Sequence, residues 1–173
     1  MIYAKIWQIY DDVGYAACQS GNLDLAQKMF ELAVECCGGQ RNMRSQRTKS
    51  MIGLADTAML RGNVAESARL YTRVINAYAR SGVATKQDQY MLAHALERLG
   101  YMRAEECRYI DAIKLLQRSV RLSERIYGSV HSELVTRLLK ISLLLSQTGA
   151  VDQSLAVLHR ARAIQETAQG VPS

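Results

Sequence analysis

A short segment recurs four times along the 173-residue chain, and its spacing limits what the chain can fold into more than any other feature. Ser20-Gly-Asn-Leu-Asp-Leu-Ala26, Arg61-Gly-Asn-Val-Ala-Glu-Ser67 and Thr148-Gly-Ala-Val-Asp-Gln-Ser154 share one form, and Glu106-Cys-Arg-Tyr-Ile-Asp-Ala112 repeats it with Cys107 in place of glycine. The markers Gly21, Gly62, Cys107 and Gly149 stand 41, 45 and 42 residues apart. A period of this length describes stacked supersecondary units, none of which buries a core alone. The one Pro lies at position 172, and a Pro-free interior rich in Ala, Leu, Arg and Gln suits helices throughout.

Alignment on the markers exposes three columns of small residues: Gly14, Ala55, Gly100 and Ser142; Ala26, Ser67, Ala112 and Ser154; Ala33, Val74, Ser119 and Ala161. Paired helices cross closely only where side chains are small, so these columns mark the crossings. Large residues alternate with them: Tyr10, Met51, Leu96 and Leu138; Val13, Leu54, Leu99 and Ile141; and, on the second helices, Phe30, Tyr71, Leu116 and Leu158. The pattern predicts helices near 3–20, 23–37, 44–61, 64–81, 86–106, 109–127, 131–148 and 151–168, with bends at Gly38-Gly39 and between Arg80 and Gln87. It also predicts a single repeat domain over 1–168 and a frayed tail over 169–173.

The order of large, small and aromatic columns resembles the tetratricopeptide repeat (TPR), although the period is longer and the proline that usually ends the second helix is absent. The Gly128-x-x-His131 junction resembles the kinesin light chain subtype. The resemblance implies an all-α, right-handed superhelical solenoid of about four helix-turn-helix repeats. It also implies a concave groove, lined by the first helices, that holds a peptide. By register the groove-facing candidates include Asp11, Asp12, Tyr15, Lys49, Ile52, Asp56, His94, Glu97, Arg98, Tyr101, Leu139, Lys140 and Leu143. The family presents Asn inside this groove, where the present sequence has Asp12, Gly53, Arg98 and Lys140, which argues against its usual cargo and chaperone peptides.

No catalytic constellation accompanies the repeat. His94, His131 and His159 fall at nonequivalent positions, adjacent Asp11 and Asp12 point apart on a helix, and no phosphate loop, nucleophile elbow or HExxH is present. Cys18, Cys36, Cys37 and Cys107 lack metal-ligand spacing, so neither metal nor cofactor is expected. No apolar run approaches the length of a membrane span, and the free-thiol pattern points to the cytoplasm.

Twenty-two Lys and Arg against 16 Asp and Glu give a net charge of +6. Arg73, Arg118 and Arg160 share one column, and Arg80 and Arg125 another; this outer stripe is the basis of a nucleic-acid alternative. Arg41, Arg44, Arg47 and Lys49 form a junction cluster, read first as solvated. The reading that accounts for most residues is an adaptor or scaffold binding a protein or peptide partner. Arg98 and Lys140 favour acidic groups on that partner, unless Glu97, Asp56 or Glu105 neutralises them. A structural subunit joined through its repeat ends is the alternative, with Tyr3 and Trp7 on the apolar first helix either self-associating, docking a partner or burying within the chain.

Overall fold

The structure, a computed structural model, describes residues 2–38 and 40–168, without the side chain of Arg41. Gly39 and the expected tail at 169–173 lie outside these residues. Eight α-helices account for most of the described chain: α1 (Ile2–Gln19), α2 (Leu23–Cys36), α3 (Arg44–Leu60), α4 (Val64–Ser81), α5 (Lys86–Glu105), α6 (Tyr109–Tyr127), α7 (Val135–Gln147) and α8 (Val151–Ala168). The described residues contain no strand. The helices form two compact units dividing at Gly82, inside the predicted bend; unit 1 is Met1–Gly82 and unit 2 is Val83–Ser173.

Each helix pair is joined by the same turn, and its chemistry explains the recurring segment. Gly21 has φ of 77°; its N–H donates to the Cys18 carbonyl at 3.1 Å, and the Asn22 N–H reaches back to the Ala17 carbonyl at 2.9 Å. That geometry satisfies the last carbonyls of α1 and requires a left-handed residue, which glycine adopts freely. Asn22 then caps α2 by accepting from the Leu25 N–H, and Asn63 caps α4 through the Glu66 N–H. Cys107 makes the same turn with φ of 58°, the one positive φ of a non-glycine residue among those described.

The small columns lie where the sequence places them. Ala26, Ala33, Ala55, Ala112 and Ala161 are fully buried at the crossings. In unit 1 the Phe30 ring is wedged between two helices: a Cβ at Gly14 would sit 2.8 Å from Phe30 Cε1, and one at Gly53 2.5 Å from it. Gly53, assigned by register to the groove, is therefore the seat of a core ring. Serines in these columns spend their hydroxyls on the facing backbone. Ser67 Oγ donates to the Ala55 carbonyl at 2.8 Å, and in unit 2 the Ser142 and Ser154 hydroxyls each donate to the other's carbonyl. Small size permits the approach, and the hydrogen bond offsets the cost of burying the hydroxyl.

Three details differ from the sequence reading. Leu158, expected to bury like Phe30, Tyr71 and Leu116, is 43% exposed. Its helix α8 packs on α7, and among the described residues no further helix covers its other side. Val13 on α1 is exposed for the corresponding reason. The seventh helix begins at Val135 instead of 131, because His131 Nδ1 accepts from the Glu133 N–H and closes a 3₁₀ turn, Ser132–Leu134, with Leu134 buried beneath it.

Candidate functional site

The first helix of each pair carries the residues assigned to the partner-binding face, and several are tied down by neighbours. In unit 1, Asp11 is fully buried between α1 and α3, accepting from Ser50 Oγ at 2.8 Å and pairing with Lys49 Nζ at 2.7 Å. Trp7 Nε1 donates to Ser50 Oγ at 2.8 Å. The Lys49 ammonium also sits 5.4 Å from the Trp7 ring centroid and 5.3 Å from that of Tyr15, inside cation–π range. Tyr15 in turn meets Phe30 edge to face at 5.0 Å. Trp7 thus has an intramolecular role, whereas Tyr3 is 57% exposed.

Burial separates the acidic residues expected on this face. Asp11 is spent inside the unit, Asp56 accepts a hydrogen bond from the Tyr71 hydroxyl, and Asp12 stays exposed. Ile52, also assigned to the face, is buried.

Unit 2 organises its face around Glu97. One carboxylate oxygen accepts from Arg137 Nη2 at 2.7 Å and the other from the Tyr101 hydroxyl at 2.9 Å. Arg137 also donates to the Glu133 carbonyl at 3.0 Å and to Ser123 Oγ at 3.2 Å. Burial, reinforced by the Glu97 charge and its hydrogen bond, pushes the Tyr101 phenol well above the ordinary tyrosine range, so it remains a neutral donor. Glu97, considered a neutraliser of Arg98 and Lys140, is paired with Arg137. The sequence reading does not single out Arg137; the signal that finds it is the recurrence of the Asp11–Ser50 offsets one unit later.

Arg98, His94 and Lys140 are half-buried, while Leu139 and Leu143 are exposed. Leu139 shares the register of Asp11 and Glu97, residues that contact the following first helix in their own units. His131 stacks on Tyr127 at 4.8 Å while capping its turn, which accounts for the junction histidine without chemistry. Of the outer arginines, Arg160 pairs with Glu124 and donates to the Ser129 carbonyl at 3.4 Å, whereas Arg73 and Arg118 are exposed.

No helix among the described residues is long and apolar enough to cross a membrane. Nor do those residues gather three or more His, Cys, Asp or Glu side chains able to hold a metal ion.

Residues 91–167 match the tetratricopeptide repeat family model. No curated protein matches the chain. Among solved structures, the apo form of RapI aligns with 96% of this chain and 58% of its own at 13% identity and a TM-score of 0.80. BtubC (BKLC) from P. vanneervenii aligns with 96% of this chain and 66% of its own at 14% identity and a TM-score of 0.76. At these identities the likeness is one of fold, and the chain spans less than two thirds of either structure. Repeats of this kind typically mediate protein–protein interaction. The family model is matched over α5 to α8, and the same turn and crossing register recur in unit 1, so residues 91–167 carry tetratricopeptide repeats and unit 1 is built of helix pairs of the same kind.

Proposed function

We propose that this protein is a non-enzymatic, cytoplasmic adaptor or scaffold that binds a protein or peptide partner along the face of its first helices. The observation that carries this reading is the division of charge in unit 2. Glu97 is committed to Arg137, while exposed Leu143 shares the register of Tyr101, and Lys140 that of Arg98. An exposed leucine among cations and a neutral phenol suits a partner segment with acidic groups and an apolar anchor. In unit 1 the face comprises Asp12, Tyr15, Lys49 and Asp56; in unit 2 it comprises His94, Arg98, Tyr101, Lys140 and Leu143, with Leu139 at its edge. The charges supply specificity and association rate more than affinity.

The test compares capture of the native partner by the parent and by the Arg98→Glu/Lys140→Glu variant, with Lys140→Glu/Leu143→Asp as a second variant that leaves Arg98 in place. Capture should weaken by about tenfold or more, equivalent to about 1.4 kcal/mol, at unchanged helicity. Unchanged capture by both variants would remove this face from consideration.

A second reading, self-association through α1, is supported by the exposed Ile2, Tyr3, Ile6, Ile9 and Val13, most of which recur at three- and four-residue spacing on one side of that helix. Sedimentation of the parent and of Ile9→Asp separates the two readings. A concentration-dependent mass abolished by Ile9→Asp supports self-association, and a monomer at all concentrations rejects it.

A further inference from the structure

Two arginine groups far apart in the sequence converge in unit 1. Arg44 and Arg47, from the junction cluster, and Arg73 and Arg80, from the outer columns, line one cavity of about 160 Å³. We propose that this cavity is a binding site for a phosphate-type oxyanion carried by a phosphorylated segment of a partner protein.

The cavity follows from residue size and helical spacing. Arg73, Ala77 and Arg80 fall on one side of α4 at i, i+4 and i+7, and Arg44, Arg47 and Thr48 face them from the first turns of α3. Ala77 leaves the space open. The same register position holds Leu122 and Ile164 in unit 2, both buried there as filling side chains.

The electrostatics are one-sided. No carboxylate lines the cavity, and among the described residues Arg47, Arg73 and Arg80 form no ion pair. Several other arginines are matched, Arg61 with Asp24, Arg103 with Glu106, Arg108 with Asp111 and Arg137 with Glu97, whereas Arg118, Arg121 and Arg125 of α6 are unmatched among the described residues but line no cavity with the four converging here. Glu31 and Glu66 share a neighbouring cavity with Arg73 but do not pair with it. Arg44 is fixed in place, donating to the carbonyls of Ser81 at 3.2 Å and Gly82 at 3.5 Å. The start of α3 adds positive potential, since it has neither a side-chain cap nor an acidic residue in its first turn, unlike α2 and α4. Converging guanidinium groups repel one another, and a bound dianion relieves that repulsion.

Size and lining select the ligand. Cavities for whole drug-sized molecules run roughly 300–1,000 Å³, so this one takes a single group, and the guanidinium fork matches phosphate oxygens in pairs. A nucleic-acid strand fits less well. No aromatic side chain lines the cavity for base stacking, and in the column of Arg73 the guanidinium of Arg160 is already paired with Glu124.

The experiment follows the arginine Nε–Hε resonances by NMR at constant ionic strength. The protein is titrated with inorganic phosphate, a phosphoserine octapeptide, its unphosphorylated counterpart and a single-stranded oligonucleotide. The proposal expects saturating shifts at Arg47, Arg73 and Arg80 with phosphate, and binding of the phosphopeptide about tenfold or more tighter than phosphate, which corresponds to about 1.4 kcal/mol. Arg73→Gln/Arg80→Gln, which alters exposed side chains, should reduce both affinities by about tenfold while leaving the melting temperature unchanged. Absence of binding by phosphate and phosphopeptide, equal binding by the double variant, or equal binding of the unphosphorylated peptide would overturn the site. Phosphate bound as tightly as phosphopeptide would overturn the phosphoprotein assignment in favour of a free anion, and tighter binding of the oligonucleotide would overturn it in favour of nucleic acid. The substitutions lie in unit 1, so failure here is distinguishable from failure at Arg98 and Lys140 in unit 2.

Discussion

Arg137 Nη2 lies 2.7 Å from Glu97 Oε2, joining α7 to α5 across successive repeats. Glu97 stands ten residues before the turn marker Cys107, and Arg137 twelve before Gly149. Asp11 and Ser50 stand at the same offsets before Gly21 and Gly62, and they too are joined, at 2.8 Å. One geometric relation between neighbouring first helices is thus filled by an ion pair in unit 2 and by a carboxylate–hydroxyl bond in unit 1.

Removing one member of the unit 2 pair leaves the other charge buried, with side-chain exposures of 10% for Arg137 and 15% for Glu97. Arg137→Ala should lower stability by about 3–5 kcal/mol, read from urea unfolding. The Glu97→Leu/Arg137→Leu double variant should cost much less than the sum of the two single leucine replacements. Additive costs would mean that the pair is not coupled.

Close approach at the crossings makes the core glycines sensitive to added atoms. A Cβ at Gly53 would meet the Phe30 ring, and one at Gly100 would lie 2.9 Å from Leu116 Cγ. Gly53→Ala and Gly100→Leu should each cost about 1–3 kcal/mol or more through overpacking. Thermal melting of Gly100→Leu equal to that of the parent would contradict this packing.

The cysteines should separate by reactivity and pH. The Cys37 thiol is pushed from 9.0 up to about 11, first by burial and then by the neighbouring Cys36, with Arg47 opposing. The folded state holds this proton more tightly than the unfolded state. Its contribution to stability is therefore complete below about pH 9 and is lost as pH rises through about 11. The parent should lose stability more steeply than Cys37→Ala between those values in denaturant titrations. Exposed Cys107 should be alkylated by iodoacetamide well before buried Cys37.

Much of the fold was legible because its determinants are local. The interval between turn markers, the glycine at three of the four turns and the three small columns follow from helical periodicity and from the need for a left-handed residue at each reversal. Even Cys107, a poor residue for that conformation, is placed by alignment and found at φ of 58°. Helix limits fall within a residue or two, except where His131 diverts the chain into a 3₁₀ turn.

The partner-binding face was legible only as a list of positions. Register assigned Asp11, Asp12, Gly53, Glu97 and Arg98 to that face, but it could not say which charge meets another or which glycine receives a ring. Asp11 turns inward to Lys49 and Ser50, Glu97 is taken by Arg137, and Gly53 seats Phe30. The convergence of Arg44 and Arg47 with Arg73 and Arg80 is of the same kind. Such contacts depend on how far neighbouring helices stand apart and how long side chains extend across the gap. Periodicity along the sequence determined the repeat, the turns and the crossings, whereas the pairing of charges was decided by packing between helices.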